Sequence, residues 1–276
     1  MKTNFVKMGI LSCLSMTLLM TSCSKDEDST VTEEQTAALT AEQSKLSAEA
    51  DASVDAVFNL LEMAYAEQEE SDGRNASLFT DCVTITISSE NNVTFVSLDF
   101  GVGCVLNNGA FVAGIINLSY GEVVAGTRNI TYVFEDFSYN LKEIAGGGSI
   151  FRERNNSNGN PQSTVNKVVE VTFPNGVVAD LTGTRVAEWV EGVGSGSWSD
   201  NVFLITGDRQ IVFSSGFTHN ALVLEALRRE ASCPHFVSGV LQLTRNNGSG
   251  TLDFGDGTCD NLALLTVGDQ EYIITL

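Results

Sequence analysis

One phrase occurs twice in this chain, and each time it closes a segment bounded by cysteines. Leu98-Asp99-Phe100-Gly101-Val102-Gly103-Cys104 returns as Leu252-Asp253-Phe254-Gly255-Asp256-Gly257-Thr258-Cys259, with one residue inserted. Each copy follows a second cysteine and a β-like run: Cys82 before Val83, Ile85 and Ile87, and Cys233 before Val237, Val240, Leu241 and Leu243. Between the two runs lies Asn91-Asn92 in the first copy and Asn246-Asn247-Gly248 in the second. Asn and Gly tolerate the left-handed backbone that a tight hairpin turn needs. The midpoint of each cysteine pair falls at or beside its turn, near positions 93 and 246. Folding there sets the paired cysteines opposite one another, at roughly the 4.5–5.5 Å between Cα atoms that a disulfide can span. The expectation is two stapled hairpins, Cys82–Cys104 and Cys233–Cys259, each worth about 3 kcal/mol in the chain-entropy model.

The chain from Leu78 to the end reads as strands. Val83, Ile85 and Ile87 alternate with Thr84, Thr86 and Ser88, and Val169, Val171 and Phe173 alternate with Val168, Glu170 and Thr172. Strict alternation marks half-buried strands. Turn signals recur at Asn108-Gly109, Pro174-Asn175-Gly176, Gly207-Asp208 and Gly268-Asp269, and Ala221 to Leu227 reads as a brief helix. Residues 152 to 164 and Gly192 to Asp200 read as long loops. The expected fold of residues 78–276 is mainly β: an antiparallel sandwich or barrel of about twelve to fourteen strands. Ahead of it, residues 40–72 read as one amphipathic helix. Thr40 and Gln43 form a capping box, Val54, Val57, Phe58, Leu61, Ala64 and Tyr65 follow helical spacing, and Asp72-Gly73 ends it. Its apolar stripe suits either an open end of the β domain or a partner.

The first 22 residues read as a signal peptide: Lys2 and Lys7 precede an uncharged, mostly apolar stretch from Met8 to Met20. That stretch is shorter than the roughly 20 residues a spanning helix needs. Leu19-Met20-Thr21-Ser22-Cys23 resembles a bacterial lipobox, with Met20 where leucine is usual. The resemblance implies cleavage before Cys23, its acylation, and attachment to a membrane through the acyl chains. Ser24-Lys25-Asp26-Glu27-Asp28 is similar to the export signal of surface lipoproteins in Bacteroidota, which implies an outer-membrane address facing the exterior. Residues 23–39 then form a flexible acidic tether. With Cys13 removed and Cys23 lipidated, the remaining four of the six cysteines are those of the two hairpins. Helix, paired cysteine hairpins and closing Gly-Asp-Gly-x-Cys-Asp-Asn phrase together resemble β-rich lipoproteins of Bacteroidota, a resemblance that supplies no activity.

Charge narrows the partners. Removing residues 1–22 takes away Lys2 and Lys7 and no acid, so the net charge of −20 becomes −22. Nucleic acid and anionic lipid surfaces both need a cationic face, so neither is an expected partner. No Gly-x-Ser-x-Gly elbow and no phosphate-cradling Gly-Lys-Ser or Gly-Lys-Thr occurs, and His219 and His235 are the only histidines. Asp253, Asp256 and Asp260 cluster at one turn. Oxygen ligands in such a place suit calcium, and the same residues suit the turn's own Asx hydrogen bonds. Trp198, in the Gly- and Ser-rich loop, fits either stacking on a sugar ring or plugging the end of the β domain. No catalytic residue and no other cofactor is assigned. The leading expectation is a non-catalytic, lipid-anchored surface protein that binds a glycan or a protein. An accessory subunit of an outer-membrane complex, docked through the helix, comes second, and a glycosidase built on paired carboxylates third.

Overall fold

A computed structural model describes residues 39–69, 77–246 and 248–276. The signal peptide, Cys23, the tether up to residue 38, the Asp72-Gly73 helix stop and Asn247 lie outside the described residues. Among the described residues one helix, α1 (Ala41–Glu69), precedes fourteen strands: β1 (Thr84–Glu90), β2 (Val93–Asp99), β3 (Cys104–Val105), β4 (Phe111–Tyr120), β5 (Thr127–Tyr139), β6 (Lys142–Glu153), β7 (Gln162–Thr172), β8 (Val178–Glu191), β9 (Val202–Phe213), β10 (Thr218–Glu230), β11 (Phe236–Arg245), β12 (Gly248–Asp256), β13 (Leu262–Val267) and β14 (Gln270–Thr275). All belong to one antiparallel sheet, in which sequence neighbours pair throughout and the short β3 shares β4 with β2. The sheet runs from edge strand β1 to edge strand β14 and is not closed.

Both stapled hairpins are present. Glu90 pairs with Val93 around Asn91 and Asn92, whose φ values of 51° and 62° are those of a two-residue hairpin turn. Arg245 pairs with Gly248 in the second copy. The disulfides Cys82–Cys104 and Cys233–Cys259 have Cα separations of 5.7 and 5.8 Å. In each copy the aspartate of the repeated phrase accepts the amide two residues on, Asp99 from Gly101 and Asp253 from Gly255, both at 2.8 Å. Each neighbouring phenylalanine, Phe100 or Phe254, drops into the core. The repeated phrase thus folds into the same Asx turn twice.

Three local expectations are corrected. Residues 221–227 are part of β10, not a helix. Their run of helix-favouring residues is absorbed by register shifts between Val223 and Arg228, and Ala221, Leu227 and Arg229 still point inward. Gly207-Asp208 is not a turn but the middle of β9. A Cβ on Gly207 would come within 2.0 Å of the Thr184 carbonyl oxygen, so glycine permits close backbone approach there. The long loop expected over 152–164 is only residues 154–161, because β6 and β7 extend into it. It is tied down by Asn158 and Asn160, whose amides donate to Glu188 at 2.9 and 2.8 Å.

α1 is capped as expected, with the Gln43 amide donating to Thr40 Oγ1 at 3.2 Å. Its apolar stripe is covered by the chain's own sheet rather than left for a partner: Val54, Val57, Phe58 and Leu61 are all buried, and Phe58 meets Tyr132 of β5 edge to face. The polar side of α1 is buried too. Glu62 meets Arg152 of β6 at 2.9 Å, and Asp55 meets Arg185 of β8 at 2.8 Å. Asp51 is bonded to Arg209 of β9 and lies 3.9 Å from Lys167 of β7. These cations occupy inward positions of their strands, in phase with Val165, Val169, Ile211 and Trp189. The sheet therefore curls around the helix, and its strands greet the apolar and the acidic sides of α1 with matching chemistry. The outward positions of β7 include Thr164, Asn166, Val168 and Glu170, polar but for Val168.

Candidate ligand cavity

Five segments meet around a cavity of about 550 Å3, within the roughly 300–1,000 Å3 range of small-ligand sites. α1 contributes Ala56, Asn59, Leu60 and Met63, which share one helical face at i, i+3, i+4 and i+7. The segment before β1 contributes Leu78 and Phe79, and the turn between β3 and β4 contributes Leu106, Asn107 and Asn108. The loop between β8 and β9 contributes Trp198 and its serine neighbours, and the far side is Arg229, Ala231 and Ser232.

Both disulfides border these walls. Cys82–Cys104 joins the strand-leading segment that carries Thr80 to the strand just before Leu106, and Cys233 follows Ser232 directly. Around the first staple, the Leu78 amide donates to Glu67 Oε2 at 2.8 Å, and the Asn107 side-chain amide donates to the Leu78 carbonyl at 3.3 Å. Phe79 packs edge to face on Phe100. On the opposite wall, the Asn201 amide donates to the Trp198 carbonyl and the Ala231 amide to the Asn201 carbonyl. The loop that carries Trp198 is thereby tied to the end of β10. Ser195 Oγ adds bonds to the Ser197 carbonyl and to Asp200. A cavity whose walls are stapled and cross-bonded is preorganised, which lowers the cost of ordering it around a ligand.

Trp198 holds a double position. Its ring lies 6.2 Å from that of Trp189 and 5.9 Å from that of Phe203, so one part packs on the core. It remains half-buried and lines the cavity. The packing role expected of it is present, and its remaining face is open to the cavity. Trp189 is buried and donates its indole N–H to the Glu191 carbonyl at 2.7 Å.

Sequence reasoning passed over Arg229, Asn59, Asn107 and Asn108. Arg229 is 3% exposed. Its Nη1 donates to the Pro234 carbonyl at 2.6 Å, while Nε lies 4.0 Å from Asp55 Oδ2 and has no hydrogen-bond partner. Burial pushes the Arg229 guanidinium below its usual range, against the pull of Asp55 and Tyr139. Burial also pushes Asp55 up, but Arg185 and Arg229 outweigh it and hold its carboxyl below the ordinary carboxylate range. Lys167 is brought down to about 8 by burial, partly offset by Asp51.

The aspartate cluster lies elsewhere, in a shallow groove of about 260 Å3 beside Leu262, Leu264 and Ile273. Each carboxylate serves its own turn: Asp253 accepts from Gly255, Asp256 from Thr258 and Asp260 from Leu262. The hydrogen bonds from Thr258 hold Asp256 below its ordinary value. Among the described residues, no group of three or more His, Cys, Asp or Glu side chains is arranged to hold a metal.

Two chemistries can be set against the geometry. Ser47 Oγ lies 2.6 Å from His219 Nδ1, a contact with the look of a nucleophile and its base. His219 is fully buried, and burial followed by Arg245 takes its pKa down to about 4. The pair is sealed from any substrate and spans α1 and β10 as a structural clasp. The described cavity wall carries no carboxylate, so paired acids for glycoside hydrolysis are not found there. Neither a protein-family model, nor a curated protein, nor a solved structure matches the chain.

Proposed function

We propose that this protein is a lipid-anchored cell-surface binding protein, non-catalytic, which holds a short saccharide in the cavity between α1 and the loop that carries Trp198. The observation behind this reading is the half-buried Trp198 on a stapled 550 Å3 cavity whose polar groups are mostly amides and hydroxyls. An indole offers a flat apolar face to the C–H face of a sugar ring, and Asn59, Asn107 and Asn108 can both donate to and accept from its hydroxyls. The lipobox-like Leu19 to Cys23 and the acidic residues after it support the address, with Cys23 as the acylated residue. Docking through α1 is the second reading, and the burial of Val54, Val57, Phe58 and Leu61 against the sheet takes its apolar stripe out of such a contact.

Binding of the full-length protein to an oligosaccharide array tests the reading, with Trp198→Ala as the comparison. Binding that weakens by about tenfold or more in the variant supports it, as loss of a stacked aromatic should. Saccharide binding of equal strength in both proteins rejects the cavity as the site. Cys23→Ser should abolish incorporation of labelled palmitate and release the protein from membranes.

A further inference from the structure

We infer that the ligand is an acidic saccharide, whose carboxylate is taken by Arg229 at the inner wall of the cavity. This rests on the cavity being a saccharide site. The chain carries 35 acidic and 15 basic residues, yet among the described residues the cavity wall has no carboxylate, and its single charged side chain is Arg229. A wall drawn at random from this composition would be acidic.

The electrostatics behind that wall point the same way. Among the described residues five cations are buried, Arg152, Lys167, Arg185, Arg209 and Arg229, against three carboxylates, Asp51, Asp55 and Glu62. Four of the cations have a carboxylate at salt-bridge distance that serves as main partner, and Asp55 gives its 2.8 Å contact to Arg185. Arg229 is left with a single 4.0 Å approach to Asp55 and a carbonyl, and its Nε has no hydrogen-bond partner. A buried guanidinium without its own counter-ion is costly, and an anion entering the cavity relieves that cost. Guanidinium and carboxylate are both planar and pair by charge-assisted hydrogen bonds. Trp198 and the three asparagines on the same wall suit the neutral remainder of a sugar ring.

The test uses a panel of uronate oligosaccharides, of galacturonate, glucuronate and mannuronate, each beside its carboxyl-reduced counterpart. Affinities for the full-length protein are measured by titration calorimetry. The expected result is that at least one uronate oligomer binds about tenfold to a hundredfold more tightly than its reduced twin, the range for a hydrogen-bonded charge. Arg229→Lys and Arg229→Gln should narrow that ratio, with Lys narrowing it less. Equal affinity for acid and reduced forms overturns the inference and leaves the saccharide reading standing. Binding of neither form anywhere in the panel overturns both. If the Arg229 variants do not fold, the comparison of acid with reduced ligands on the unaltered protein still decides.

Discussion

Two sets of acidic residues in this molecule look alike in sequence and behave in opposite ways. Asp253, Asp256 and Asp260 stand at the outer turn where β12 leads into β13, and each accepts hydrogen bonds from residues within two positions of itself. Asp51, Asp55 and Glu62 lie on α1, and each meets a cation on a strand 90 or more residues away. The first set satisfies itself locally and shapes a turn. The second is useful only when the whole sheet is folded around the helix, so it ties the two together and fixes their register. In the acidic turn, one oxygen of each carboxylate is engaged by the turn's own donors. The contrast shows why the interior carries an uncommitted cation, since the helix brings fewer acids than the strands bring bases.

The comparison breaks most visibly at Asp55. Replacing it with alanine strands Arg185 and Arg229 in the interior, and should lower unfolding free energy by about 3–5 kcal/mol in a denaturant titration. A loss below 1 kcal/mol would mean that the interior pairs are hydrated and hold little.

Acid should separate the two sets next. His219 is held neutral in the fold, with a pKa of about 4 against 6.5 when unfolded. The unfolded chain therefore takes up the proton first, so stability is full above pH 6.5 and falls as the pH drops towards 4, by about 2–3 kcal/mol. Asp55 acts in a lower window. Its folded value is depressed below 3.8, so its contribution is present above that pH and is lost only below it. His219→Gln should flatten the upper window and leave the lower one, as read from denaturation midpoints between pH 7 and pH 3.

The smallest effect belongs to the outer turn. Asp256→Asn keeps an oxygen able to accept from Thr258, so the denaturation midpoint should match that of the unaltered protein. Added calcium should not raise the midpoint of either. A calcium-dependent rise that the variant loses would assign the turn a metal after all.

Much of the fold was legible in the chain. The repeated Leu-Asp-Phe-Gly phrase and the Asn turns located both hairpins, and the Thr40–Gln43 box located the start of α1. These are local signals, carried by residues within a few positions of one another. The buried ion pairs were overlooked because their partners are joined only by the folded sheet. A trace was present: Lys167 shares its strand phase with Val165 and Val169, and Arg209 shares its phase with Ile211 and Phe213. Asp51, Asp55 and Glu62 also share one face of a helix at i, i+4 and i+11. A cation in an inward phase asks for a buried acid, and the acids on this face of α1 supply it. Trp198 was visible as a candidate through its polar loop. Arg229 and the asparagines of the cavity were not, since the five segments that converge there are spread from residue 56 to residue 232.

The most direct test of the saccharide cavity is a fluorescence titration of the full-length protein with the oligosaccharides of the array. Trp198 lines the cavity and Trp189 is buried behind it, so ligand entry should change the indole emission saturably, and Trp198→Ala should abolish that change while weakening binding. Saccharide binding that leaves the emission unchanged, and that Trp198→Ala does not weaken, would contradict the account.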